Sequence, residues 1–167
     1  LYLDIKRLKK NTFFKFKTPI GRGDISKIKS KNKNIFLIDE SYNSNPLSLK
    51  MAIENYDKIA AQNSKKYLVL GDMLELGKNS LKQHRLISKI INKSKIDQVY
   101  VIGKYVRKTF KDLNRDKKAQ ILTSKNSIID LINNNLNNND YLMIKGSNST
   151  GLHKITNNLK QIKSYVL

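Results

Sequence analysis

With 167 residues the chain can bury one sizeable hydrophobic core, and its length favours one domain with a short appendage. It contains no cysteine, which fits a reducing compartment, excludes disulfide staples and thiolate metal sites, and leaves two histidines as the imidazole ligands. The net charge of +20 raises the prospect of nucleic acid, but the lysines are spread along the whole sequence, and no RNP-like aromatic strand, zinc-finger spacing or helix-turn-helix signature accompanies them. A positive field of this kind also attracts anionic ligands such as nucleotides. No stretch approaches the roughly 20 apolar residues of a membrane span and no signal-peptide pattern is seen, so a cytoplasmic, membrane-free monomer is expected.

The chain starts at Leu1 rather than Met, which reads as a piece of something longer. Leu3, Ile5 and Leu8 fall on one side of a short predicted helix that Asp4 could cap, Phe13, Phe14 and Phe16 follow, and Pro19 stops regular structure. Arg22 stands between two glycines in GRGD, where backbone can come close to a phosphate and a guanidinium can fork onto its oxygens; a surface arginine in a flexible turn is the alternative. Ile25 and Ile28, then Ile35 to Ile38, flank KSKNKN and predict a β-hairpin. The second strand runs straight into LIDESYNSNP, a polar knot at a change of chain direction. In an open α/β sheet such a strand end faces a ligand crevice, and a carboxylate there suits a ribose hydroxyl pair; equally, Asp39, Ser41 and Asn45 could cap the next helix.

From Pro46 the apolar residues Leu49, Ala52, Ile53, Tyr56 and Ile59 recur at helical spacing. Tyr67 to Leu70 predict a buried strand that ends in LGDMLELG. Gly71 and Gly77 bracket that loop and allow positive φ at both ends, while Asp72 and Glu75 place two acids at the strand end; Glu75 is expected to cap the helix Leu81 to Ile91. His84 within that helix is expected to pack or to hydrogen-bond a loop, and nothing at i+4 completes a metal pair. Strands are then predicted at Gln98 to Ile102, Ala119 to Leu122 and Tyr141 to Ile144, and helices at Lys104 to Leu113, Ser127 to Leu136 and from Leu152, with NNNLNNND as a polar loop. The alternation predicts an α/β fold: a Rossmann-like, mostly parallel sheet with helices on both faces, preceded by a short β-hairpin. KGSNSTG closes the last strand. There Lys145 can reach a carboxylate or phosphate, Gly146 lets backbone amides approach, and Ser147 and Ser149 add donors, while His153 reads as surface or helical filler.

IDESYNSNP, LGDMLELG and KGSNSTG, in that order, resemble the C-terminal domain of the Mur ligases, specifically the MurF type that adds D-alanyl-D-alanine to the peptidoglycan precursor. The resemblance covers nearly the whole chain. It implies that residues 1–20 are the tail of a central ATPase domain with the hinge, and residues 21–167 the C-terminal domain. It further implies that Arg22 contacts nucleotide phosphates, that Glu40 holds the adenosine ribose, and that Asn43 is a nucleotide-side polar residue. Asp72, Lys145, Gly146 and Ser147 would lie on the substrate side, Asp72 through a loop facing the interdomain cleft. ATP and Mg2+ would be bound mostly by the central domain, and UDP-N-acetylmuramoyl-tripeptide and D-alanyl-D-alanine would be the partners. Family members usually carry arginine where Asn148 stands. No GKT or GKS phosphate loop occurs in the chain, so it is expected to be inactive alone, and no residue is singled out as catalytic or metal-binding. The rivals are another Mur ligase or a folylpolyglutamate synthetase, and a basic Rossmann-like module for nucleotides or nucleic acid.

Overall fold

The computed structural model describes residues 20–161; the predicted helix at Leu3 to Leu8 and the phenylalanine patch lie outside them. Six strands form one sheet: β1 (Asp24–Ser30), β2 (Lys33–Glu40), β3 (Lys66–Gly71), β4 (Gln98–Ile102), β5 (Lys118–Ile121) and β6 (Tyr141–Lys145). Their order is β1-β2-β6-β3-β4-β5, with β1 antiparallel to β2 and every other pairing parallel. The helices are α1 (Pro46–Lys58), α2 (Ser80–Lys93), α3 (Arg107–Lys111), α4 (Asn126–Asn134) and α5 (Leu152–Gln161). The expected α/β architecture with a leading hairpin is what forms.

The alternation of side chains along each strand feeds two cores. Leu37, Val69, Leu142 and Ile144 pack with α4 and α5, while Ile38, Leu68, Leu70 and Met143 pack with α1 and α2. β3 is buried at every position, as a central parallel strand must be. The hairpin closes more tightly than KSKNKN implied, because β1 and β2 pair up to Ser30 and Lys33 and leave a two-residue turn, Lys31 and Asn32, with Lys31 at φ +52°. Helix α3 is shorter than predicted, since the residues before Arg107 form a turn held by a side chain from β3's loop.

At the amino-terminal edge of the sheet, lysines finish the helices. Lys66, opening β3, donates to the carbonyls of Tyr56 and Asp57 at the end of α1 at 2.8 and 3.3 Å. Lys117 donates to Ser94 and Ile96 O just beyond α2, Lys118 to Lys111 O at the end of α3, and Lys33 to Asn133 and Leu136 O at the end of α4. The last carbonyls of a helix lack intrahelical partners and carry the negative end of its dipole, so an ammonium satisfies both needs at once. Burial lowers the Lys66 ammonium from its ordinary value, against the opposing pull of Asp57 and Asp97.

Lys117→Met keeps the apolar stem and removes two charge-assisted hydrogen bonds. Urea unfolding followed by circular dichroism should show a loss of about 1–3 kcal/mol, against roughly 0.5 kcal/mol or less for Lys50→Met on the exposed face of α1.

Candidate functional site

The carboxyl ends of β2, β6 and β3 lie side by side, with the start of β1 next to them. Parallel register places Lys145 beside Glu40 on β2 and Leu70 on β3. The Lys145 side chain is 1% exposed, with Nζ 3.3 Å from Glu40 Oε2 and donating to Asn43 O at 2.9 Å. Burial pushes this ammonium below its ordinary value, against the opposing pull of Glu40. Asn43 itself is exposed, so its side-chain amide stands free of this contact.

Ser147 ties the three motif loops together. Its hydroxyl accepts the Leu74 amide at 2.9 Å and donates to Ser44 O at 3.2 Å, and its own amide donates to Asp72 O at 3.1 Å. The Ser44 hydroxyl beside it is buried and lacks a hydrogen-bond partner among the described residues. Gly146, just past the end of β6, lies against the end of β3: an added Cβ would lie 2.8 Å from Leu152 Cδ1 and 3.3 Å from Gly71 Cα, so its bareness serves packing. Gly71 is bare for the same reason, with Leu152 Cδ1 at 2.7 Å from a notional Cβ, and it does not take the positive φ expected of it.

In the LGDMLELG loop the two acids have different surroundings. Asp72 is buried, and both carboxylate oxygens are taken by the turn before α3: Oδ2 accepts Lys104 N at 2.9 Å and Oδ1 accepts Val106 N at 2.7 Å. Gly103, at φ +139°, leaves room for that carboxylate, which would lie 2.6 Å from a Cβ. Glu75 does not cap α2; it is exposed, adopts φ +64°, and the helix start shows no side-chain cap. His84 hydrogen-bonds the loop, as expected. Its Nε2 accepts Met73 N at 3.0 Å, which leaves the proton on Nδ1, 2.8 Å from Ser80 O.

In the SYNSNP knot, capping falls to Asn45 alone. It forms a reciprocal box with Ser48 at the start of α1. Asp39 is instead fully buried, with Oδ1 accepting both the amide and the hydroxyl of Ser41 and Oδ2 accepting Lys160 Nζ at 2.5 Å. Arg22 is exposed between Gly21 and Gly23, at φ +76° and +88°, and its guanidinium lies 5.2 Å from the centre of the Tyr42 ring. A cavity of about 290 Å³ opens nearby, lined by Gly21, Asp39, Tyr42, Asn148, His153 and Asn157. His153 lines this cavity, and its Nδ1 is buried without a hydrogen-bond partner among the described residues.

The sequence reading missed Lys160 and Asp24. Only the hairpin register, which sets Asp24 opposite Asp39, shows two like charges face to face that call for a cation, and that register comes from the fold.

The model of the Mur ligase, glutamate ligase domain, matches residues 25–148. The chain belongs to the Mur ligase family. Among curated Mur ligases it is 30% identical over 132 residues to the UDP-N-acetylmuramoyl-tripeptide--D-alanyl-D-alanine ligase of Bacillus subtilis, covering 77% of this chain and 28% of that protein. It is 32% identical over 128 residues to the ligase of the same name from Buchnera aphidicola subsp. Acyrthosiphon pisum, covering 75% and 27%. The chain thus spans little more than a quarter of these relatives. In fold it matches the crystal structure of MurF ligase from Thermotoga maritima in complex with ADP, with a TM-score of 0.71 and 21% identity over 89% of this chain and 32% of that one.

Burial alone would raise the Asp39 carboxyl, but hydrogen bonds from Lys160 and Ser41 outweigh it and hold it below its ordinary 3.8. Burial likewise pulls the Lys160 ammonium down, and Asp24 and Asp39 outweigh it and hold it above 10.5. The carboxyl's contribution to stability is complete above its unfolded value and lost as pH falls through the lowered folded one. The ammonium's is complete below its unfolded value and lost as pH rises through the raised folded one. Thermal melts should therefore show this pair stabilising fully from about pH 5 to 9, and Asp39→Asn should make both the acid and the alkaline limbs shallower.

Proposed function

We propose that this domain is the C-terminal part of an ATP-dependent ligase that joins UDP-N-acetylmuramoyl-tripeptide to D-alanyl-D-alanine, and that its strand-tip edge closes over the nucleotide. The observation that carries the proposal is the convergence of three separated motif loops on one edge, bound to each other through Ser147 and Lys145. The names of the sequence relatives supply the reaction.

In that reaction the tripeptide carboxylate attacks the γ-phosphorus and ADP leaves, giving an acyl phosphate. The dipeptide amine then attacks the acyl carbon, phosphate departs, and the amine gives up a proton. The residues present suit one side of a nucleotide. Arg22 is an exposed cation beside Tyr42, and its guanidinium can fork onto phosphate oxygens. The Glu40 side chain, 21% exposed beside Lys145, is a carboxylate that can accept from two ribose hydroxyls, and Asn43 adds an exposed amide. Lys145, Gly146 and Ser147 would form the substrate-side wall. Asp72 would serve that wall by bracing the adjoining turn. When bound, Mg2+ would offset charge on the phosphates. Among the described residues no three His, Asp or Glu side chains gather to hold a metal.

In a full-length ligase carrying this domain, ATP-dependent consumption of D-alanyl-D-alanine is expected, and Arg22→Ala should raise KM for ATP by about tenfold or more. Use of a single amino acid in place of the dipeptide would overturn the substrate assignment, and an unchanged KM would overturn the role of Arg22. The 167-residue chain alone should not turn ATP over.

A further inference from the structure

We propose that Lys160, in the last turn of α5, is a positioning residue for Arg22, locking the loop that presents the guanidinium by clamping Asp24 and Asp39 together. The proposal rests on the reading of Arg22 as a phosphate contact. Each residue flanking Arg22 is hydrogen-bonded to one of the two clamped aspartates. Gly21 N donates to Asp24 Oδ1 at 2.8 Å, and Gly23 N donates to Asp39 O at 2.8 Å. The remaining carboxylate oxygens, Asp24 Oδ2 and Asp39 Oδ2, each lie 2.5 Å from Lys160 Nζ. A third tether closes the loop, since Tyr42 N donates to Gly21 O at 3.2 Å and the Tyr42 ring lies beside the Arg22 guanidinium.

The physics of the pair makes the ammonium necessary. Asp24 and Asp39 are directly opposed across the antiparallel hairpin, so their side chains share one face of the sheet. Two carboxylates at that spacing repel, and one of them is buried. A single cation between them turns the repulsion into two charge-assisted hydrogen bonds. Without it the carboxylates separate, Asp24 turns away from Gly21, and the anchor on the amino side of Arg22 is lost. Further support comes from α5 itself: the Ser41 hydroxyl that binds Asp39 also lies 3.1 Å from Thr156 Oγ1, so one helix face holds Asp39 at two points.

The test compares Lys160→Met, Lys160→Arg and the double variant Lys160→Met/Asp24→Asn, by amide hydrogen exchange in the 167-residue chain and by KM for ATP in the full-length ligase. Lys160→Met should lower protection at Gly21, Gly23 and Tyr42 by about fivefold or more, the worth of one ordinary hydrogen bond, and leave Leu122 on the far side of the sheet unchanged. Lys160→Arg should restore protection, and the double variant should recover part of it because the like-charge pair is gone. KM for ATP should rise about fivefold in Lys160→Met with kcat little changed, and not rise further when Arg22→Ala is already present. Unchanged protection at the three amides, or an equal loss at Leu122, would overturn the clamp. A loss of protection at the loop with no change in KM would overturn the positioning role. If Arg22→Ala alone leaves KM unchanged, the nucleotide reading of Arg22 fails, while the exchange pattern still decides the clamp.

Discussion

The buried ammonium of Lys145 is the contact on which the site edge depends. It sits at the tip of β6, the strand between β2 and β3, and a charge in that position is costly unless it is paired and hydrogen-bonded. Glu40 supplies the charge and Asn43 O the hydrogen bond, and both belong to the chain leaving β2. The polar knot after β2 is thereby drawn over the end of β6 instead of swinging into solvent. Two residues later Ser147 extends the same logic to β3's loop, holding Leu74 N and Ser44 O with one hydroxyl. Close approach of β6 and β3 at Gly146 and Gly71 is what makes that reach short enough.

The two edges of the sheet spend the positive charge differently. At the amino edge, Lys33, Lys66, Lys117 and Lys118 turn inward onto the carbonyls that end α4, α1, α2 and α3. Those cations answer helix dipoles, so a net charge of +20 overstates what is offered to a partner. At the carboxyl edge, Lys145 and Lys160 are each committed to acids of the hairpin, while Arg22 stays exposed on an aromatic ring. Charge count alone would have pointed to nucleic acid. Placement shows that part of the charge is spent on helix ends and on acids at one strand-tip edge.

The fold was legible because its signals are local. Apolar runs at Tyr67 to Leu70 and Gln98 to Ile102 alternate with helical spacing, and each run is bounded by Gly, Asn or Pro, so element type and order follow from the chain alone. The convergence of Glu40 and Lys145 was also foreseeable, since both end parallel strands. The cap expected of Glu75 does not form, and the partners of Asp72 were not legible in the sequence. A carboxylate after a strand can meet a ligand, a helix start or a neighbouring turn, and Asp72 finds the amides of Lys104 and Val106, more than thirty residues away in sequence. Lys160 was invisible for the same cause: its partners, Asp24 and Asp39, become neighbours only once the hairpin and the last helix have met.

Arg22 shows how local and distant constraints combine. Gly21 and Gly23 both take left-handed φ, which a side chain would oppose, and each also lacks room for one: a Cβ would lie 2.9 Å from Tyr42 Cβ at the first and 3.0 Å from Glu40 Oε1 at the second. The conformation of the loop is therefore set twice, once by backbone freedom and once by what packs against it. Because the packing partners are Tyr42 and Glu40 themselves, the loop cannot be displaced without disturbing the β2 end of the site. Shared contacts thus link Arg22, Glu40 and Lys145: the Arg22 loop packs on Tyr42 and Glu40, and Glu40 pairs with Lys145.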